Sequence, residues 1–178
     1  MGWPKKVLGE NRVVLMFPSF VLKFPRIRPI RAGRHVWFAI KKRNWKLLKL
    51  MLFRNASGTL PFFVFMGFVV NWNEYRYYRQ TKCDILMPTY FSLFGIINVQ
   101  KRGKSFQHTQ PNWFEALCLA TDDLVRQDGH TFDDADNFVL KSDGSLALVD
   151  YGDKVTQRIH SQAHHQIRKV LTDHRLAA

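Results

Sequence analysis

The stretch NFVLKSDGSLALVDYG, from Asn137 to Gly152, constrains the fold more than any other part of the sequence. Alternating apolar residues on both sides of Ser142-Asp143-Gly144 predict a tight β-hairpin, because Asp-Gly supplies the positive-φ turn that suits two twisted antiparallel strands. A closed hairpin would bring Asn137, where the first strand begins, beside Asp150, where the second ends. Asp150 also leaves the apolar run LALV just where Gly152 lets the backbone turn, and no basic residue follows it until Lys154. Two oxygen ligands converging at a strand end suit a small hard cation that accompanies a nucleoside triphosphate.

The rest of the chain must supply a body around this hairpin. At 178 residues, 46% hydrophobic and 14% aromatic, it suffices for one domain with a real core and is too short for two ordinary ones. A formal net charge of +13 and a pI near 10.1 predict a broad positive field that concentrates nucleotides, phospholipid headgroups, RNA or an acidic protein. The charge is uneven. Lys and Arg crowd the stretch from Lys5 to Lys104, while carboxylates gather between Glu115 and Asp153, as expected if the second half holds Mg²⁺. Such a carboxylate cluster repels phosphate backbones and disfavours nucleic acid as the partner. Cys83 and Cys118 lack CxxC spacing, so neither a disulfide framework nor a zinc site is indicated, and a reducing cytoplasm fits best. The first residues, 1–14, lack the apolar run of a signal peptide. The apolar run 60–70 is shorter than the roughly 20 residues a membrane span needs.

Along the chain, RVVLMFPSFVLKF predicts two short strands joined at Pro18-Ser19, with Lys23 a lone charge inside the second. PRIRPIRAGRH reads as a loop. Residues 36–53 read as one basic amphipathic helix, its apolar Trp37, Ile40, Trp45, Leu48 and Leu52 interleaved with Lys41, Lys42, Lys46 and Lys49. That pattern suits a membrane surface, an acidic partner, or packing on the same domain with snorkelling lysines. Residues 55–59 read as a turn and LPFFVFMGFVV as a buried run. NWNEYRYYRQT reads as a separate helix capped by Asn71 or Asn73, which places Glu74 near the positive end of the helix dipole. TYFSLFG and IINVQKR predict two strands around Gly95, and residues 100–111 a linker. NWFEALCLATDDLVRQDG predicts a helix stopped by Gly129, and residues 155–171 a helix with His160 and His164 on its solvated face.

The resulting order is strand, strand with Lys23, helix with Glu74, two strands, linker, helix, loop, hairpin, Asp-Tyr-Gly. It resembles the protein-kinase-like fold. GHTFDDADNFVLKSDGSLALVDYGD carries the resemblance, because His130, Asn137 and Asp150 to Gly152 are similar to the family's H-x-D-x-x-x-x-N loop and D-F-G motif. The resemblance implies an α+β, reduced two-lobe fold: a single domain over 1–178, with a small antiparallel-sheet lobe (1–102, basic, with a helical insertion at about 35–70) and a truncated helical lobe (103–178), cut down like the minimal kinases of bacterial effectors and phages. It implies ATP and Mg²⁺ as cofactors, with Lys23 on the phosphates and Glu74 holding Lys23. Val99 would lie in an Ile97–Lys101 hinge facing the adenine, and Asn137 and Asp150 would bind the metal.

The chain departs from the family in three places. Phe132 stands where the family has its proton-accepting aspartate, and a phenyl ring accepts no proton. Asp133, one residue late and beside His130, is then the closest base, with Asp134 and Asp128 further off. A glycine-rich phosphate loop is missing, and about one helix follows Gly152. Three functions are compatible with these features. The first is an ATP- and Mg²⁺-dependent phosphotransferase acting on a protein hydroxyl. The second is a pseudokinase that binds a partner with an acidic surface. The third is a basic nucleic-acid or membrane-surface protein, for which residues 36–53 would make a peripheral membrane contact.

Overall fold

The computed structural model describes residues 4–9, 11–54, 59–106 and 113–173. The chain is an α+β protein built on two antiparallel sheets. The first contains β1 (Lys5–Leu8), β2 (Arg12–Met16), β3 (Phe20–Pro25), β4 (Thr89–Leu93) and β5 (Ile97–Lys101), in the order β1-β2-β3-β5-β4. The β-branched and aromatic content of RVVLM and FVLKFP makes β2 and β3 strands. The turn between them closes where the Phe17 amide donates to the Phe20 carbonyl at 2.9 Å. β1, which the sequence reading did not anticipate, is an exposed edge strand whose Lys5 and Lys6 discourage further pairing. The second sheet, β6 (Lys104–Ser105), β7 (Phe138–Leu140) and β8 (Leu146–Leu148), contains the expected hairpin with Phe138 opposite Leu148.

In the first half, the helices differ from expectation in three places. α1 (Pro29–Lys41) begins inside the segment read as a loop, because Pro29 at the first helical turn needs no N–H partner, and Ala32 and Ala39 are then buried. The single helix over 36–53 is two. Arg43 adopts φ 49°, and Asn44 accepts the Leu47 amide at 2.9 Å, which ends α1 and caps α2 (Trp45–Phe53). α3 (Leu60–Thr81) is one helix of 22 residues, so Asn71 is no cap and Glu74 sits far from either end. Asn71 is buried instead, and its amide donates to the Lys23 carbonyl at 3.2 Å and the Gly95 carbonyl at 2.9 Å. The apolar run that opens α3 is buried only at Phe63, Gly67 and Val70, while Phe65 and Val69 are exposed. Among the described residues, α1 starts before and α3 ends after the 35–70 bounds expected for the helical insertion. The turn expected at 55–59 lies, except for Thr59, outside the described residues, as does the 107–112 part of the expected linker.

In the second half, α4 (Trp113–Ala120) stops early, because Asp122 and Asp123 take positive φ, which short polar side chains tolerate. A 3₁₀ turn follows, and Gly129 begins the short α5 (Gly129–Phe132) rather than ending a helix. Asp153 accepts the Val155 amide at 2.7 Å at the start of α6 (Lys154–Asp173). The core lies here, with Trp113, Leu117, Phe132, Phe138, Ile159 and Ile167 buried together. Residues 85–87 tie the halves to one another, since the Met87 amide donates to the Leu148 carbonyl at 2.9 Å and the Leu148 amide to the Ile85 carbonyl at 2.8 Å. Among the described residues no helix is long and apolar enough to cross a membrane.

Candidate functional site

β3 alternates across the sheet, and Lys23 points to the face that α3 covers. Burying an ammonium there requires acceptors. Lys23 Nζ has them at 2.9 and 3.0 Å in the two oxygens of Glu74, and at 2.7 Å in the Val149 carbonyl. Three donors meet three acceptors, so the ammonium is saturated. Glu74, fully buried, also accepts Arg12 Nη1 at 2.6 Å. The other end of that guanidinium, Nη2, lies 2.5 Å from Asp150 Oδ1. Two cations and two carboxylates thus form one chain from Lys23 through Glu74 and Arg12 to Asp150, with 44% of the Asp150 side chain still exposed.

The ionisation of the cluster follows from this geometry. Burial depresses the Lys23 ammonium from its usual range, and Glu74 only partly offsets it. For Arg12, burial works against the charge, but Asp150 and Glu74 prevail and raise it. Burial would push the Asp150 carboxyl up, yet Arg12 first and Lys23 second hold it below the ordinary carboxylate range, with a smaller contribution from His130. Removing one partner from such a buried set strands an uncompensated charge, which costs about 3–5 kcal/mol.

Asn137 also stands where the hairpin reading places it, since its carbonyl accepts the Val149 amide at 2.9 Å, next to Asp150. Its side-chain Nδ2 donates to the Thr131 carbonyl at 3.1 Å, which leaves Oδ1 as the atom able to meet a ligand. Among the described residues no three His, Cys, Asp or Glu side chains converge as a metal site. Asp150 and Asn137 supply two oxygens, and this sparse set fits an ion such as Mg²⁺ that takes its remaining ligands from phosphates and water. Arg12 holds at Asp150 the charge that such an ion would otherwise hold.

The remaining expected residues are placed less favourably. Phe132 belongs to the core and faces no site. Asp133 is exposed at the end of α5, and among the described residues its carboxylate forms no hydrogen bond or ion pair. His130 is exposed as well. Asp134 caps the 3₁₀ turn by accepting the Asp136 amide at 3.0 Å, and Asp128 accepts the Thr156 hydroxyl. Val99 sits within β5 between β3 and β4, opposite Leu22 and Phe91, so its backbone is paired into the sheet. The chain instead crosses between the sheets at Arg102 and Gly103, where a Cβ on Gly103 would lie 2.4 Å from Val139. His160 is buried rather than solvated, 2.7 Å from the Tyr77 hydroxyl.

Arg12 was missed because it opens a strand amid many other basic residues and its partners lie far along the chain. Tyr151 and Thr89 were missed too. The fully buried Tyr151 hydroxyl donates to the Met87 carbonyl at 2.6 Å and lies 2.8 Å from Thr89, whose own hydroxyl is 3.4 Å from Glu74. A tyrosine directly after Asp150 was the available signal. Compared with known families and with curated proteins, the chain matches no family model and no curated sequence.

Proposed function

We propose that the protein is a kinase-like, two-lobed phosphotransferase that uses ATP and Mg²⁺, with a protein hydroxyl as acceptor. The observation that carries this reading is the buried Lys23–Glu74 pair, 2.9 Å apart, set beside the partly exposed Asp150 at the end of the hairpin. Lys23 and Glu74 would position the phosphates, and Asn137 and Asp150 would hold the ion. Phosphoryl transfer depends mainly on positioning and on neutralising charge, so a weak base lowers the rate without abolishing the reaction. Asp133 is the exposed carboxylate nearest in sequence to the place of the missing base.

A second reading, a pseudokinase that binds without turnover, is favoured by two observations: Phe132 is locked in the core, and Arg12 already neutralises Asp150. One set of measurements separates the two. ATP with Mg²⁺ should raise the melting temperature of the wild type by mass action, and Asp150→Asn should remove the Mg²⁺-dependent part. Turnover that falls about 100-fold in Asp133→Asn at unchanged ATP affinity supports the phosphotransferase. Binding without turnover supports the pseudokinase, and no shift with ATP in either condition defeats both.

A further inference from the structure

α2 reads WKLLKLMLF, with Lys46 and Lys49 its only polar residues, yet none of its residues is buried. Its half-buried side, Leu47, Leu48, Met51 and Leu52, meets the rest of the chain, and Trp45 and Phe53 stand 70% and 78% exposed on the opposite side with both lysines. α1 repeats the arrangement. Ile30, Arg34, Trp37 and Lys41 recur at helical spacing opposite the buried Ala32 and Ala39, with Ile30 75% and Trp37 66% exposed. Large aromatic side chains left in water on two successive helices are costly and mark a surface that something covers.

The charges identify the occupant. Between Glu10 and Glu74 the sequence has no Asp or Glu, so the lysines and arginines of α1 and α2 have no carboxylate on their own helices. Surface helices that only need solubility mix both signs and gain from Glu–Lys pairs one turn apart. Cations alone, alternating with exposed tryptophan and phenylalanine, match the interface of an anionic bilayer. There the indole rings sit at headgroup depth, and each nearby Lys or Arg is attracted by the surface potential. An acidic protein or RNA would satisfy the charge but leave unexplained the outward apolar side chains of Ile30, Trp37, Trp45 and Phe53.

We infer that the outward faces of α1 and α2 dock on an anionic phospholipid surface, with the aromatic residues inserted and the lysines on the headgroups. The full chain should cosediment with phosphatidylcholine vesicles that contain about 30% phosphatidylserine, but not with pure phosphatidylcholine, and added salt should weaken the binding. Brominated lipid should quench its tryptophan fluorescence. Trp45→Ser with Phe53→Ser, at positions exposed enough to leave the fold unchanged by circular dichroism, should weaken vesicle binding about tenfold or more. Lys46→Glu with Lys49→Glu should do the same. Four results would overturn the inference: no binding to anionic vesicles, equal binding to neutral ones, undiminished binding by the aromatic variant, or no quenching by brominated lipid. Retention of RNA or an acidic polypeptide without vesicle binding assigns the surface to those partners instead.

Discussion

Glu74 alone cannot neutralise both Lys23 and Arg12, and the cluster closes only because Asp150 takes the far end of the guanidinium. Lys23 was legible in the sequence because a lone charge in an apolar strand demands a partner when buried, whereas Glu74 was marked as its partner only by the resemblance in the order of elements. Arg12 was not legible, since nothing local distinguishes a paired arginine from a solvated one. His160 shows the same limit from the other direction. Helical spacing with His164 put it on the outer face, but the packing of α6 against Tyr77 buries it. Burial brings its imidazole down to about 4, well below the 6.5 of an exposed histidine. Between those values the unfolded chain binds more protons than the folded one, so stability is complete above pH 6.5 and falls as the pH drops toward 4. The loss should be on the order of 2–3 kcal/mol. Urea midpoints should therefore decline from pH 7 to pH 4.5, and His160→Gln should flatten that decline. An unchanged slope in the variant would move the acid sensitivity to other groups.

α3 is the element that positions the site, and backbone contact holds it. A Cβ added to Gly67 would lie 2.3 Å from the Asn11 carbonyl and 2.8 Å from Pro25 Cα, and one added to Gly152 would lie 2.4 Å from the Val70 carbonyl. Gly95, at φ 78°, touches the Phe68 carbonyl in the same way. Gly67→Ala should destabilise the fold by about 1–3 kcal/mol, as overpacking does. Because Glu74 lies two turns further on the same face, the proposed nucleotide site predicts weaker binding of ATP with Mg²⁺ by the variant as well. Gly33→Ala in α1 is the natural control, since nothing lies within 4 Å of its added methyl. Helix propensity should make that variant more stable by roughly 0.5–1 kcal/mol. Denaturant titration of both checks the pair, and equal effects would mean that close packing at Gly67 is unimportant. The sequence reading divided α3 in two because Asn71 looks like a cap. The acceptors that hold its amide inside the helix, on β3 and at the β4–β5 turn, are distant in sequence and leave no local mark. The hairpins at Gly95 and Ser142-Asp143-Gly144 were legible because their turn residues are local.

Across the molecule, one core joins Cys83, Ile85, Leu86 and the end of α3 to α4, α6 and the hairpin, and the first sheet is tied to the end of that hairpin by Lys23 Nζ and Gln100 Nε2, which donate to the Val149 carbonyl at 2.7 and 3.2 Å. Denaturant unfolding should therefore be a single transition, with near- and far-ultraviolet circular dichroism tracing the same curve, and separate midpoints would show that the halves unfold independently. Six of the eight strands could be read from local patterns, whereas β1 and β6 could not. The break between α1 and α2, the early end of α4 and the pairing of β5 on both sides could not, because tertiary packing decides them. The three glycine contacts on α3 also determine how the site can be controlled. To swing Glu74 away from Lys23, the helix would have to part from the sheet, the β4–β5 turn and the hairpin end at once, so this ion pair acts as a permanent fastening. The movable latch is the contact between Arg12 and Asp150, the one carboxylate of the cluster that solvent reaches, and a ligand that opens the site has to arrive there.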